Sequence, residues 1–152
     1  TLKTFIDGQG VTTHIRDERV SANSSIVAAN GGVRKFMCRL QRKLGEKGGI
    51  VMEGRDITTH VFPDADFKIY LDASIDERAT RRYRQLKASG HAADRQKIRE
   101  AILTRDLNDL KRKINPLTQA EGALVIDSTA MTLHEVAQKI LKTIRSGRNG
   151  FA

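Results

Sequence analysis

The sequence predicts an α/β fold, a short parallel sheet under flanking helices, and three observations carry that expectation. The runs "IVMEG" (50–54), "FKIYLDA" (67–73) and "ALVIDS" (123–128) are apolar with little polar alternation, as in strands covered on both faces by helices. The last two each precede a capping-box signal, Ser74 with Glu77 and Thr132 with Glu135, so a helix should follow each strand directly. The segments between the runs repeat apolar residues every three or four positions, the period of one helix face.

Taken in order, residues 2–15, "LKTFIDGQGVTTHI", predict a hairpin that reverses through Asp7-Gly8-Gln9-Gly10, where glycine admits the positive φ of a tight turn. A helix is expected from Glu18 to Ala29, stopped by Asn30-Gly31-Gly32. A second follows, with Val33, Phe36, Met37, Leu40 and Leu44 on one stripe. Gly48-Gly49 then releases the chain into "IVMEG". Two arginine-rich helices are expected over 76–88 and 94–113, parted near Gly90-His91. A closing helix carries Leu133, Val136, Ala137, Ile140, Leu141 and Ile144 on a stripe suited to lie on a sheet, and the tail "SGRNGFA" reads as loose.

The chain has 152 residues, one domain's worth, and a globular chain of that size can remove about 68–70% of its unfolded surface from water. Lys and Arg outnumber Asp and Glu by 27 to 18, a formal charge of +9 that favours polyanionic partners. Cys38 is the only cysteine, which excludes an internal disulfide and a multi-cysteine metal site and makes a reducing cytoplasm the expected setting. No apolar run approaches the roughly 20 residues that span a bilayer. The four histidines, His14, His60, His91 and His134, show no metal-ligand spacing. "NGGVRK" is glycine-rich but lacks the G-x-x-x-x-G-K-[ST] spacing of a phosphate-cradling P-loop. The chain starts at Thr1 without methionine, which suggests an excised piece.

Two constellations point to a site. In an open α/β sheet ligands sit beyond the carboxyl ends of strands, where Gly54-Arg55-Asp56 falls: Arg55 can hold phosphate with a bidentate fork, and Asp56 can accept from an amino group or hydroxyl. A solvated Arg-Asp turn would read the same way. In the later helix Arg105, Asp109 and Arg112 fall at i, i+4 and i+7, opposite a stripe of Leu103, Leu107, Leu110 and Ile114. A helix packed by its leucines would then present two guanidiniums flanking a carboxylate, although a solvent face with ion pairs has the same spacing. Arg78, Arg81, Arg82 and Arg84 crowd the preceding helix, a density of like charge that calls for a screening anion such as a triphosphate. Ser25, near a helix end, and Arg34, just off an apolar stripe, gain interest by association.

"EGRDITTHVFPDADFKIYLDAS", "RDLNDLKR", Pro116-Leu117 and "ALVIDST", in that order, resemble the bacterial cytidylate kinases, and the resemblance runs over about residues 2–145. It implies a P-loop kinase-type parallel sheet, a kinase that passes phosphoryl from ATP to CMP or dCMP, and Mg²⁺ arriving with ATP. By position, it implies that Ser25, Arg34 and Asp56 contact cytosine, Asp109 the sugar, and Arg55, Arg105 and Arg112 phosphates. It further implies a monophosphate-binding region over 1–48, a partial α/β core over 49–75 and 114–146, a lid with its following arginine-rich helix over 76–113, and a tail over 147–152. Arg81 and Arg82 would serve ATP from the lid. Thr58 departs from the glycine usual there.

The family's opening strand, P-loop and helix have no counterpart in the sequence, so the sheet is expected to be incomplete. The chain alone is expected to be inactive, holding no metal of its own and open to a separate N-terminal P-loop fragment as partner. The competing reading is a non-catalytic basic module for RNA or another polyanion. Charge fits it, but no aromatic-rich strand or nucleic-acid motif does.

Overall fold

The computed structural model describes residues 3–147, without the side chains of Arg16, Glu18, Ser21, Ala22 and Ser25. The chain opens with a hairpin, β1 (Phe5–Ile6) antiparallel to β2 (Gln9–Gly10). Its reversal is shorter than expected. Asp7 and Gly8 alone make the turn, with φ +48° and +79°, the pair of left-handed residues whose twist matches that of two strands.

After a 3₁₀ turn at His14–Arg16 come α1 (Glu18–Ala28) and α2 (Gly31–Gly45). Asn30 does not simply stop the first helix. Its side chain accepts from the Gly32 and Val33 amides at 2.9 and 3.2 Å and so starts the second, with both glycines in the opening turn of α2.

"IVMEG" is not a strand: residues 50–54 pair with no strand among the described residues, and Val51 is fully exposed. An apolar run becomes a strand only where a neighbour supplies backbone partners. The sheet that forms is two-stranded and parallel, β3 (Ile69–Asp72) against β4 (Leu124–Asp127), with Ile69 opposite Leu124 and Asp72 opposite Asp127. It is only partly covered. Ile126 is fully buried, while Leu71 and Val125 stay about half exposed.

Each strand runs into its predicted helix, α3 (Ile75–Ala88) after β3 and α5 (Leu133–Ser146) after β4. The Thr132–Glu135 capping box is complete, whereas Ser74 receives the Glu77 amide at 3.3 Å without a reciprocal bond. The stripe of α5 is only partly covered: Val136 is buried, but Leu133 is exposed. Between the strands α3 packs on α4 (Arg95–Lys111) through Ala79, Leu86 and Ile98, with Tyr83, Ala93 and Ile102 around them.

The packing of α4 reverses an expectation. Leu103, Leu107, Leu110 and Ile114 are exposed, and the buried face holds Ile98 and Asp109. Ile98, Ile102, Asp106 and Asp109 follow one another at spacings of four, four and three, so they share the side turned to α3 and to residues 55–56. A small parallel sheet with helices before, between and after its strands is the mixed architecture of a P-loop kinase-like fold.

Candidate functional site

The loop after Gly54 is held by an unusual turn. Ile57–Val61 form a π-helical turn in which Phe62 donates to the Ile57 carbonyl at 2.7 Å and Val61 to that of Asp56 at 3.3 Å, with Ile57 and Val61 buried beneath. Thr58 lies inside it and is not among the residues with positive φ, so this backbone does not demand glycine there. Arg42 of α2 donates to the carbonyls of Val61 (2.9 Å) and His60 (2.6 Å), which locks α2 to the loop. Gly45 completes the seam, because a side chain there would meet Phe62 and Ile50.

This scaffold aims Arg55 and Asp56 toward the end of α4. Asp56 pairs with Arg34 of α2 and lies 3.9 Å from Arg112 Nη2. Arg112 also donates to Asp109 Oδ1 at 3.1 Å, and Arg55 faces both Asp109 Oδ2 and Asp106. The Arg55–Asp109 contact is an ion pair without hydrogen-bond alignment, since neither atom has a hydrogen-bond partner. Asp106 Oδ2 takes Arg78 of α3 at 2.6 Å. Seven side chains from four segments thus form one alternating chain of charge: Arg34, Asp56, Arg112, Asp109, Arg55, Asp106, Arg78.

Exit from α4 is bent to fit. Arg112 ends the helix with extended backbone, Asn115 is left-handed at φ +51°, Arg112 Nε donates to the Asn115 carbonyl, and the Leu117 amide closes on the Asp109 carbonyl at 2.9 Å. Burial and the nearby Arg34 charge weaken the hold of Arg112 on its proton, which Asp109 and Asp56 partly restore. Burial raises the Asp106 carboxyl, but hydrogen bonds from Arg78 and Arg55 outweigh it and hold that pKa below the usual carboxylate range.

Arg34 and Asp56 form the polar floor of a cleft of about 890 Å³ between α1 and α2. Val27, Val33, Met37 and Cys38 give it apolar walls, with Asn115 and Asn23 at its edges. An apolar cleft with a few convergent polar groups is what a small-molecule site requires. Arg34 and Arg112 are more than nine-tenths buried as side chains, and one nitrogen of each, Arg34 Nε and Arg112 Nη2, has no hydrogen-bond partner. Such donors are costly to bury without an acceptor.

The family model described as cytidylate kinase matches residues 1–146. The chain belongs to the cytidylate kinase family. It is 47% identical to the cytidylate kinase of Bacillus velezensis over 140 residues, 92% of this chain and 62% of that protein. Against that of Bacillus subtilis it is 46% identical over 142 residues, 93% and 63% respectively. For Caldicellulosiruptor saccharolyticus the figures are 44% over 138 residues, 91% and 61%. The chain therefore spans about three-fifths of the length of the curated cytidylate kinases it matches.

Of the residues singled out in the sequence, Arg34, Arg55, Asp56, Asp109 and Arg112 meet in one ion-pair network, and of these Arg34 and Asp56 line the cleft. Arg105 does not join them: it is exposed on α4 and makes no ion pair among the described residues. Ser25 lies in α1 near the cleft-lining Ser24, but its side chain is outside the described residues. Arg81 is held by Glu77 (2.9 Å), by Ser128 (3.1 Å to Oγ, 2.6 Å to the carbonyl) and by the Met131 carbonyl, while Arg82 reaches Gln85 at 3.0 Å. Of the crowded arginines on α3, Arg78 is paired with Asp106 and Arg81 with Glu77, while Asp76 takes Arg95 and Arg99 of α4.

Sequence reasoning missed Asp106, Arg42 and Asn115. The spacing of Ile98, Ile102, Asp106 and Asp109 was the available signal for the first. Nothing local marks the other two.

Proposed function

We propose that this chain is the monophosphate-binding part of a cytidylate kinase, holding CMP or dCMP in the cleft between α1 and α2. The observation that carries the reading is the Arg34–Asp56 pair lining the cleft, backed by Arg112 next to Asp56, with one buried nitrogen of each arginine lacking a hydrogen-bond partner. Cytosine presents two acceptors, the ring nitrogen and the carbonyl oxygen, beside one amino donor. Arg34 and Arg112 suit the acceptors and Asp56 the amino group. Uracil would turn a carbonyl oxygen toward the Asp56 carboxylate, which disfavours it. This places Arg112 on the base side rather than the phosphate side. Ser25 joins the base, Asp109 meets the sugar, and Arg55 and the exposed Arg105 supply cations for the phosphate.

Residues 1–48 act with the loop at 55–62 as the monophosphate-binding region, 49–75 and 114–146 as core, and 76–113 as lid and following helix. Arg81 and Arg82 reach ATP only if α3 releases the contacts described above. Phosphoryl transfer calls for alignment and charge stabilisation, and the guanidiniums supply the part of it that these residues can. Asp56, Asp106 and Asp109 do not fit a Mg²⁺ site: each already faces guanidiniums, and no group of three potential ligands is spaced for a metal among the described residues. With no P-loop spacing in its sequence, the chain by itself binds CMP but transfers phosphate negligibly, and it pairs with a separate P-loop segment for turnover. A reducing cytoplasm is the proposed setting.

Calorimetric titration tests this. Saturable binding of CMP well above AMP and UMP, lost on Arg34→Ala or Asp56→Ala, is the expected result. Equal affinity for all three nucleotides, or salt-steep binding to any RNA in their place, contradicts it.

A further inference from the structure

Beyond the cleft, the charge chain continues to a residue pair that the nucleotide reading does not use. Asp106 spends one carboxylate oxygen on each of two guanidiniums, Oδ1 on Arg55 and Oδ2 on Arg78. Arg78 in turn donates from Nε to the Ala73 carbonyl at 3.1 Å, at the point where β3 gives way to α3. Arg55 is gripped along its Nε–Nη2 edge by Asp109 and Asp106, which leaves Nη1 unengaged among the described residues. Arg78 is likewise left with Nη2. Both arginine side chains are about one-third exposed and Asp106 only 17%, so the carboxylate is the buried pivot and the guanidiniums its accessible arms.

We propose that Asp106 and Arg78 are positioning residues that hold Arg55 in line for a phosphate group and tie the start of α3 to that site. The inference rests on the phosphate role given to Arg55 above. Arginine carries several freely rotating bonds, and fixing its fork in advance lowers the cost of ordering it when an anion binds. Because Asp106 and Asp109 grip only the Nε–Nη2 edge, a phosphate can meet the free Nη1 without displacing them, and the other oxygen of Asp106 fixes Arg78 at the first turn of α3.

The test compares wild type, Arg78→Lys and the double variant Arg78→Met/Asp106→Asn, titrated with CMP, cytidine and inorganic pyrophosphate at fixed ionic strength. The double variant removes one charge of each sign, so a change in net charge cannot explain its behaviour. It is expected to weaken CMP and pyrophosphate about tenfold while cytidine changes less than about twofold, since the altered contacts are charge-assisted and lie away from the base. Arg78→Lys keeps the charge but loses the fork, and is expected to fall between. If the double variant fails to fold, Arg78→Lys carries the comparison.

Unchanged CMP and pyrophosphate affinities overturn the inference. Equal losses for CMP and cytidine also overturn it, because a merely structural role would produce them. A wild type that binds pyrophosphate but not CMP refutes the cytidylate reading instead, and the positioning role is then decided on pyrophosphate alone. A wild type that binds neither overturns both.

Discussion

Asp56→Ala is the most informative single perturbation, because one carboxylate offsets two guanidiniums that are almost fully enclosed. Arg34 and Arg112 are 9% and 8% exposed as side chains, and Asp56 is 19%. Removing one partner of a buried ion pair costs about 3–5 kcal/mol, chiefly through the uncompensated charge left behind. Partial exposure of Asp56 and the second carboxylate at Asp109 put this case at the lower end, about 3 kcal/mol. For a chain of this length that corresponds to a fall in Tm of about 6–12 °C. Thermal unfolding followed by circular dichroism measures it, with the exposed Asp64→Ala as control. Asp56→Asn keeps an acceptor for one arginine and should fall between. A Tm within about 2 °C of wild type, or an equal loss in the control, would refute the claim that Asp56 holds two buried cations in place.

Other consequences follow from the same geometry. Arg42→Met removes two charged hydrogen bonds from the π-helical turn and should cost about 1–3 kcal/mol in urea unfolding while weakening CMP binding, because the turn orients Asp56. Gly45→Ala places a methyl against Phe62 and Ile50 and should destabilise by about 1–3 kcal/mol, read in the same assay. Asp106 has its pKa lowered in the fold, so the stability it contributes is present above its unfolded value of about 4 and drains away as pH falls below that. Wild type should therefore exceed Asp106→Asn in stability most near neutrality, with the difference shrinking as pH falls toward 2, when the two proteins are compared by circular dichroism across pH 2–7.

How much of this was legible in the sequence depends on whether a feature is local. Helix α2, the Thr132–Glu135 capping box and the strand-to-helix order around β3 and β4 rest on short-range spacing and capping, and they appear as expected. The convergence of Arg55 and Asp56 with Asp109 and Arg112 was legible too, though only by joining two segments that sequence leaves apart. The faces of α4 were not. Periodicity shows that two sides of a helix differ, and leucines made the wrong side look buried, whereas Ile98 and Ile102 meet α3 and carry Asp106 and Asp109 inward. "IVMEG" has strand composition, but a strand is a relation between two segments, and no described segment pairs with it. The turn at Ile57–Val61 has no sequence signature, because its bonds depend on Arg42 arriving from α2.

The central claim is that separate arginines and aspartates build one cleft for a pyrimidine monophosphate. Isotope-labelled NMR of the chain titrated with CMP examines it residue by residue. The account predicts the largest shifts at Arg34, Asp56 and the facing walls around Val27 and Met37, with Arg55 responding to CMP but not to cytidine. Shifts centred on α5, or a response of Arg55 that ignores the phosphate, would contradict it.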